Sequence, residues 1–135
     1  MSADTPQFAT LLLDSDGLTK LASRDLRMRA LVERAHRQDA EVVVLWTALA
    51  ETLQGAGKPA ILFALSALRL VALTEQHYRD AAAVMERTAM GGHTIDALTV
   101  AAALTLTRPV VIATSDPDDM HRLLQGQRGM VTFAV

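Results

Sequence analysis

Five carboxylates hold most of the chemistry this sequence can do. Asp14 directly follows an apolar run of strand length, Phe8–Leu13 (FATLLL), and Asp116 follows another, Pro109–Ala113 (PVVIA), after only Thr114 and Ser115. Asp96 falls in the first turn of a helical pattern opened by Thr94, just past the Gly91-Gly92 break. Glu51 lies in the helical pattern after Glu41–Leu45 (EVVVL), among the small residues Ala48 and Ala50, and Asp119 stands one turn beyond Asp116. No Lys or Arg is immediately beside any of them. Crowded carboxylates repel and raise one another's pKa. A hard divalent cation relieves that repulsion, and an oxygen-only donor set suits Mg²⁺ or Mn²⁺. Such an ion activates water and stabilises charge developing on a phosphate. The same residues have a plainer reading. Asp14, Asp96 and Asp116 each sit where a helix begins, and Asp there is ordinary capping worth about 0.5–2 kcal/mol. Glu51 alone would be a solvated helix residue. Residue type and spacing leave both readings open.

The elements that would deliver these acids are legible as patterns. The three apolar runs are continuous rather than alternating, which suits strands buried on both faces of a parallel sheet. Arg69–Leu73 and Val131–Val135 are weaker strand candidates. Helical patterns cover Arg24–Arg37, Trp46–Gln54, Pro59–Leu68, Glu75–Met90 and Ile95–Thr107, with a short last helix over Pro117–Leu124. Gln54–Lys58 and Met90–Gly92 read as turns. This alternation predicts a three-layer α/β/α domain over a mainly parallel sheet of about five strands, one domain spanning 1–135. Ligands of open parallel sheets bind outside the carboxyl ends of the strands, where Asp14 and Asp116 are delivered.

Composition removes several function classes. With no cysteine, disulfide scaffolds, thiol catalysis and Cys-ligated zinc are excluded. Aromatic residues are 4% of the chain, too few for a base-stacking platform of the RRM or OB kind. A formal net charge of -2 argues against a polycation that binds nucleic acid by bulk charge. Met1–Gln7 has neither the basic nor the apolar region of a secretory signal, and the longest apolar stretches are too short or too interrupted to span a bilayer. A cytoplasmic protein without membrane association is the expectation.

Four stretches carry a family resemblance over essentially the whole chain: LLLDSDGLTKLA (Leu11–Ala22), WTALAETL (Trp46–Leu53), TIDALTVAAAL (Thr94–Leu104) and VVIATSDPDDMHRLL (Val110–Leu124). In order and spacing they resemble the opening strand-Asp, the helix Glu, the D-A-L-x-x-A-A-A helix and the T-x-D-x-x-D turn of PIN-domain ribonucleases, specifically the VapC-like toxins of bacterial toxin–antitoxin pairs. The resemblance implies a PIN-like fold and a metal-dependent endoribonuclease. Its catalytic quartet would be Asp14, Glu51, Asp96 and Asp116, with Mg²⁺ or Mn²⁺ held by Asp14, Asp96 and Asp116 and Asp119 as an auxiliary ligand. It further implies that Thr114 orients the carboxylates, that the substrate is RNA, that the partner is a small antitoxin, and that the chain forms a homodimer. Two positions depart from the family pattern. Asp16 stands where Asn, Ser or Thr is frequent, adding negative charge beside Asp14, and Met120 stands where an aromatic is common. A catalytically silent PIN-fold module acting by RNA or protein contacts is the non-enzyme alternative.

Other features compete less well. Asp14-Ser15-Asp16-Gly17 also resembles the nucleophile loop of haloacid-dehalogenase-type phosphatases, in which the first Asp attacks phosphorus. Leu18-Thr19 follows where that motif has Thr-Leu, and the chain is short for that fold. None of the histidines, at 36, 77, 93 and 121, pairs at the i, i+4 spacing of a helical zinc site, although His93 could meet a phosphate. Within Arg24–Arg37, Met28, Leu31, Val32 and Ala35 form an apolar stripe. Arg27, Arg34 and Arg37 fall on the other side, as a solvated face or a rail for RNA phosphates. Ala60–Leu68, with Trp46 and Phe63, is core or protein interface.

Overall fold

Strand-length runs that are apolar on both faces must be covered on both faces, and the computed structural model, which describes residues 7–135, shows that cover. Residues 1–6, and with them most of the segment tested for a secretory signal, lie outside the described residues. Strands β1 (Thr10–Leu13), β2 (Glu41–Leu45), β3 (Arg69–Val71), β4 (Val110–Thr114) and β5 (Met130–Ala134) form one sheet of order β3-β2-β1-β4-β5. Every pairing is parallel, with Leu13 opposite Val44 on one side and Ala113 on the other. Helices α1 (Ser15–Ala22), α2 (Leu26–Arg37), α3 (Trp46–Thr52) and α4 (Lys58–Leu65) cover one face. Helices α5 (Glu75–Thr88), α6 (Thr94–Ala103) and α7 (Pro117–Leu123) cover the other. This is the three-layer α/β/α architecture of a PIN-like fold.

The two faces share the strands residue by residue. Leu11, Leu13, Val42, Val44, Val111 and Ala113 pack under α1–α4, whereas Leu12, Val43, Val110 and Ile112 pack under α5–α7. On the second face the seven consecutive residues Ala97–Ala103 of α6 are buried, so this helix is enclosed between the sheet, α5 and α7. A helix apolar all round belongs in such a place, and its alanines allow the close approach.

Strand order places a crevice at one point. β1 leads into α1 on one face, its neighbour β4 leads into α7 on the other, and the two connections part at the carboxyl edge of the sheet. Open parallel sheets bind ligands at such a reversal.

The helix boundaries differ from the pattern in instructive ways. The sequence reading begins a helix at Asp14 but assigns it no extent, because Gly17 in a helix costs about 1 kcal/mol relative to Ala and masks a two-turn element over Ser15–Ala22. The fold needs that glycine. A Cβ there would lie 3.3 Å from the Ala113 carbonyl oxygen and 3.4 Å from Asp14 Oδ1, so the first turn of α1 rests directly against the end of β4. Helix α5 stops at Thr88 because Ala89 turns left-handed (φ 56°), and α4 buries only Ile61, leaving Leu62 and Phe63 exposed. No helix among the described residues is long and apolar enough to cross a membrane.

One polar bridge ties α5 to α6. Thr74 at the start of α5 donates its backbone N–H to His77 Nδ1 (2.9 Å), which leaves the ring hydrogen on Nε2 facing Thr105 Oγ1 (3.3 Å). Thr105 in turn donates to the Ala102 carbonyl (2.7 Å) beyond the last turns of α6. We predict that His77→Ala lowers stability by about 1–2 kcal/mol in urea unfolding, through loss of the cap and the bridge. His77→Gln should recover part of that loss, since Gln at this position can accept the same N–H.

Candidate functional site

The crevice between the β1 and β4 connections is a cleft of about 340 Å³ lined by the carboxylates of Asp14, Asp16, Glu51, Asp96 and Asp116. Four elements contribute: the ends of β1 and β4, and the first or last turns of α6 and α3. The quartet Asp14, Glu51, Asp96 and Asp116 is therefore brought together, although its members are up to a hundred residues apart in the chain. Asp16 joins from the first turn of α1. Thr47 and Glu51, four residues apart on α3, reach the cleft from the same helical face. Among the described residues no Lys or Arg is in the lining, and of those lining it His93 alone can carry positive charge.

The anchoring of Asp14 is the most detailed. Oδ1 accepts the Gly17 N–H (2.7 Å), which caps α1, and Oδ2 accepts the Ser115 N–H (3.3 Å) across the strand boundary. The hydroxyl of Thr114, a fully buried residue, also donates to Asp14 and at the same time accepts the Asp116 N–H at 3.0 Å. A single buried hydroxyl thus fixes the carboxylate after β1 against the backbone that carries the carboxylate after β4. Asp116 occupies the N-cap of α7, but its side chain makes no capping hydrogen bond. The plain capping reading therefore describes Asp14, which does cap, better than it describes Asp116, which does not.

Two of the acids are held above their usual pKa. Asp14 is raised chiefly by burial, against hydrogen bonds from Gly17, Thr114 and Ser115 that lower it, with the negative charge of Asp16 adding to the rise. Asp96 is raised first by burial, then by the charges of Asp116 and Asp14, with His93 opposing and Asp119 adding. These couplings are the electrostatic signature of gathered like charges.

The remaining residues divide. Asp119 is not in the cleft lining; its Oδ2 lies 3.8 Å from His93 Nδ1 and its Oδ1 lies 3.9 Å from Arg122 Nη1. Asp16 accepts a hydrogen bond from the Ser115 hydroxyl. Ser115, Thr47 and Thr99 line the cleft without having been singled out in sequence. The i, i+4 relation of Thr47 to Glu51 was the available signal for one of them. On α2, Arg27 stacks over Phe133 of β5 (5.1 Å to the ring centroid) and Arg37 pairs with Glu33 (3.6 Å), so these arginines of the supposed rail are engaged within the chain.

The donor set suits a hard cation: all carboxylate and hydroxyl oxygens, a surplus of negative charge, and raised pKa values that an ion would relieve. Among the described residues no three His, Asp or Glu side chains already stand in an arrangement that could hold a metal ion.

No family model and no curated protein matches this sequence. Solved structures do match its fold. A chain of a toxin–antitoxin complex from Klebsiella pneumoniae superposes with a TM-score of 0.71 at 18% identity, covering 93% of this chain and 99% of that one. VapBC2 from Rickettsia felis, bound to a DNA fragment from its promoter, matches with a TM-score of 0.73 at 10% identity over 93% of this chain and 98% of that one. DNA-bound VapBC from Salmonella typhimurium matches with a TM-score of 0.62 at 14% identity over 93% and 97%.

Charge and hydrogen bonding at the site predict opposite responses to two substitutions. A carboxylate whose folded pKa lies above its unfolded value of 3.8 favours the fold fully only below that value, and the contribution is lost as pH rises through the raised one. At neutral pH, without metal, ionised Asp96 therefore opposes folding. Asp96→Asn should melt at the same temperature or roughly 2–5 °C higher, with a shallower decline in stability as pH rises from acid toward neutral. Thr114→Val should instead cost about 1–3 kcal/mol, because it leaves the Asp116 N–H without its acceptor and Asp14 without a donor. Calorimetry across the acid range checks both. An Asp96→Asn variant that melts lower would remove like-charge repulsion as the governing effect.

Proposed function

We propose that this cleft is the active site of a metal-dependent endoribonuclease, the toxin of a toxin–antitoxin pair. The observation that carries the reading is the convergence of Asp14, Glu51, Asp96 and Asp116 from separate elements on one cleft whose lining has no Lys or Arg. The fold shared with chains of solved toxin–antitoxin complexes supports it. Asp14, Asp96 and Asp116 would hold Mg²⁺ or Mn²⁺, with Asp119 close enough to contribute to the field at Asp96. A bound divalent ion supplies a polarised water and offsets charge on the phosphate under attack. The chain's own groups do the rest. Thr114, Gly17 and the Ser115 amide hold Asp14 in one orientation, so little reorganisation is needed when substrate arrives. Glu51, an exposed cleft residue on α3, would orient the water and take its proton. His93 at the rim can donate to a phosphate oxygen.

The partner half of the proposal has a surface of its own. A groove of about 540 Å³ runs between α1, α2 and α4, with Leu21, Val32 and Phe63 inside and Arg24 and Arg29 at its margin. Phe63 is 78% exposed and Leu62 50%, so α4 fits the interface reading of its apolar sequence and not the core reading. A small antitoxin with an amphipathic, acidic segment suits that groove. Homodimer formation and action in the cytoplasm belong to the same proposal. The phosphatase rival is disfavoured locally: both oxygens of Asp14 already accept hydrogen bonds, and Asp16 takes up the Ser115 hydroxyl.

Purified protein should cleave single-stranded RNA, lose that activity in EDTA, and regain it with Mg²⁺ or Mn²⁺. Asp116→Asn should lower the rate roughly 10²-fold or more while leaving the fold intact by circular dichroism. Cleavage that persists in chelator at the Asp116→Asn level and the wild-type level alike would refute the site. Trapping a phosphoryl group on Asp14 would favour the phosphatase instead, and an inactive protein that still binds RNA would favour the silent module.

A further inference from the structure

A cleft lined by carboxylates repels a polyanion, so a nuclease built on it has to hold its substrate somewhere else nearby. A second cavity, of about 450 Å³, has the complementary chemistry. Among the described residues its lining has no carboxylate and includes His121, Arg122, Leu124, Gln125, Gln127 and Met130. Asp119 links it to the acidic cleft. Asp119 faces His93, which lines the cleft, at 3.8 Å on one side and Arg122, which lines the cavity, at 3.9 Å on the other. Arg122 lies six residues along α7 from Asp116, a rise of about 9 Å. The loop after α7 is tied to the segment before β4, where Arg108 Nη1 donates to the Arg128 carbonyl (3.1 Å) and the Arg108 stem packs against Gly129.

We propose that this cavity binds one nucleotide of single-stranded RNA flanking the phosphate to be cut. The inference rests on the nuclease reading and adds a subsite to it. Arg122 and His121 face the phosphate, the amides of Gln125 and Gln127 supply paired donors and acceptors for a base edge, and Leu124 and Met130 meet the base face. Asp119 acts as a positioning residue between the two sites, holding Arg122 toward the strand that leaves the cleft. The volume is that of a small-ligand site.

The test uses the full chain in EDTA at low salt with a labelled single-stranded oligoribonucleotide of about ten nucleotides, read by fluorescence anisotropy. Arg122→Ala should weaken binding roughly tenfold and reduce the slope of log affinity against log salt by about 0.7, the loss of one phosphate contact. Arg122→Lys should keep the slope. Gln125→Ala should weaken binding about two- to fivefold with no change in slope. With Mg²⁺ added, both alanine variants should raise KM for this RNA at unchanged kcat, while a dinucleotide too short to reach the cavity is cut at the wild-type efficiency. Wild-type affinity, slope and KM in both variants would overturn the subsite and leave the nuclease reading standing, as would a wild type that binds no RNA. Arg122-dependent binding by a chain that cuts no RNA would support the subsite and end the nuclease reading.

Discussion

Like charges held together at the carboxyl edge of β1 and β4 are the constraint to which the rest of this structure answers. Asp14 and Asp116 come to that edge because neighbouring parallel strands end there, and Asp96 and Glu51 are added by helices from opposite layers. Burial and mutual repulsion raise the pKa of Asp14 and Asp96, a cost that the fold accepts instead of relieving with a Lys or Arg in the lining. Natural proteins retain such costs where function needs them.

Rigid surroundings make that arrangement possible. The strands beneath the acids are buried on both faces, and α6 is enclosed along seven consecutive residues, so the elements carrying Asp14, Asp96 and Asp116 cannot drift apart to lower the repulsion. Thr114 is the point where packing and chemistry meet. Its position within β4 buries it completely, and its hydroxyl links the two strand-end aspartates. The same logic explains Gly17, where a side chain would push α1 away from Ala113 and move the amide that caps Asp14.

Charge changes sign along α7. At its start the helix presents Asp116 to the cleft, and one to two turns later it presents His121 and Arg122 to a cavity without carboxylates. The ordering also suits the helix dipole, with acids in the first turn and basic groups in the last. Asp119 sits at the change-over, between His93 and Arg122.

The layered parallel fold, and the delivery of acids to one edge of its sheet, follow from patterns local to the chain. Strands buried on both faces must be continuously apolar, so β2 reads off to the residue and β1 and β4 within two, and the residue after a strand can only emerge at its carboxyl end. Acids whose element was legible were likewise legible, which covers Asp14, Glu51, Asp96 and Asp116. The extent of helix α1 was not, since a glycine that weakens local helix propensity stands here in close contact with β4, nearly a hundred residues away. Only the tertiary structure decided that Asp14 serves as a cap while Asp116 leaves its carboxylate free for the cleft, because first-turn spacing is the same for both and the difference lies in side-chain direction. It alone turned Asp119 toward His93 and Arg122, left Phe63 outside the core, and closed a cavity between the end of α5 and the loop after α7. Such features depend on which surfaces meet across layers, and local pattern along a chain has no term for that.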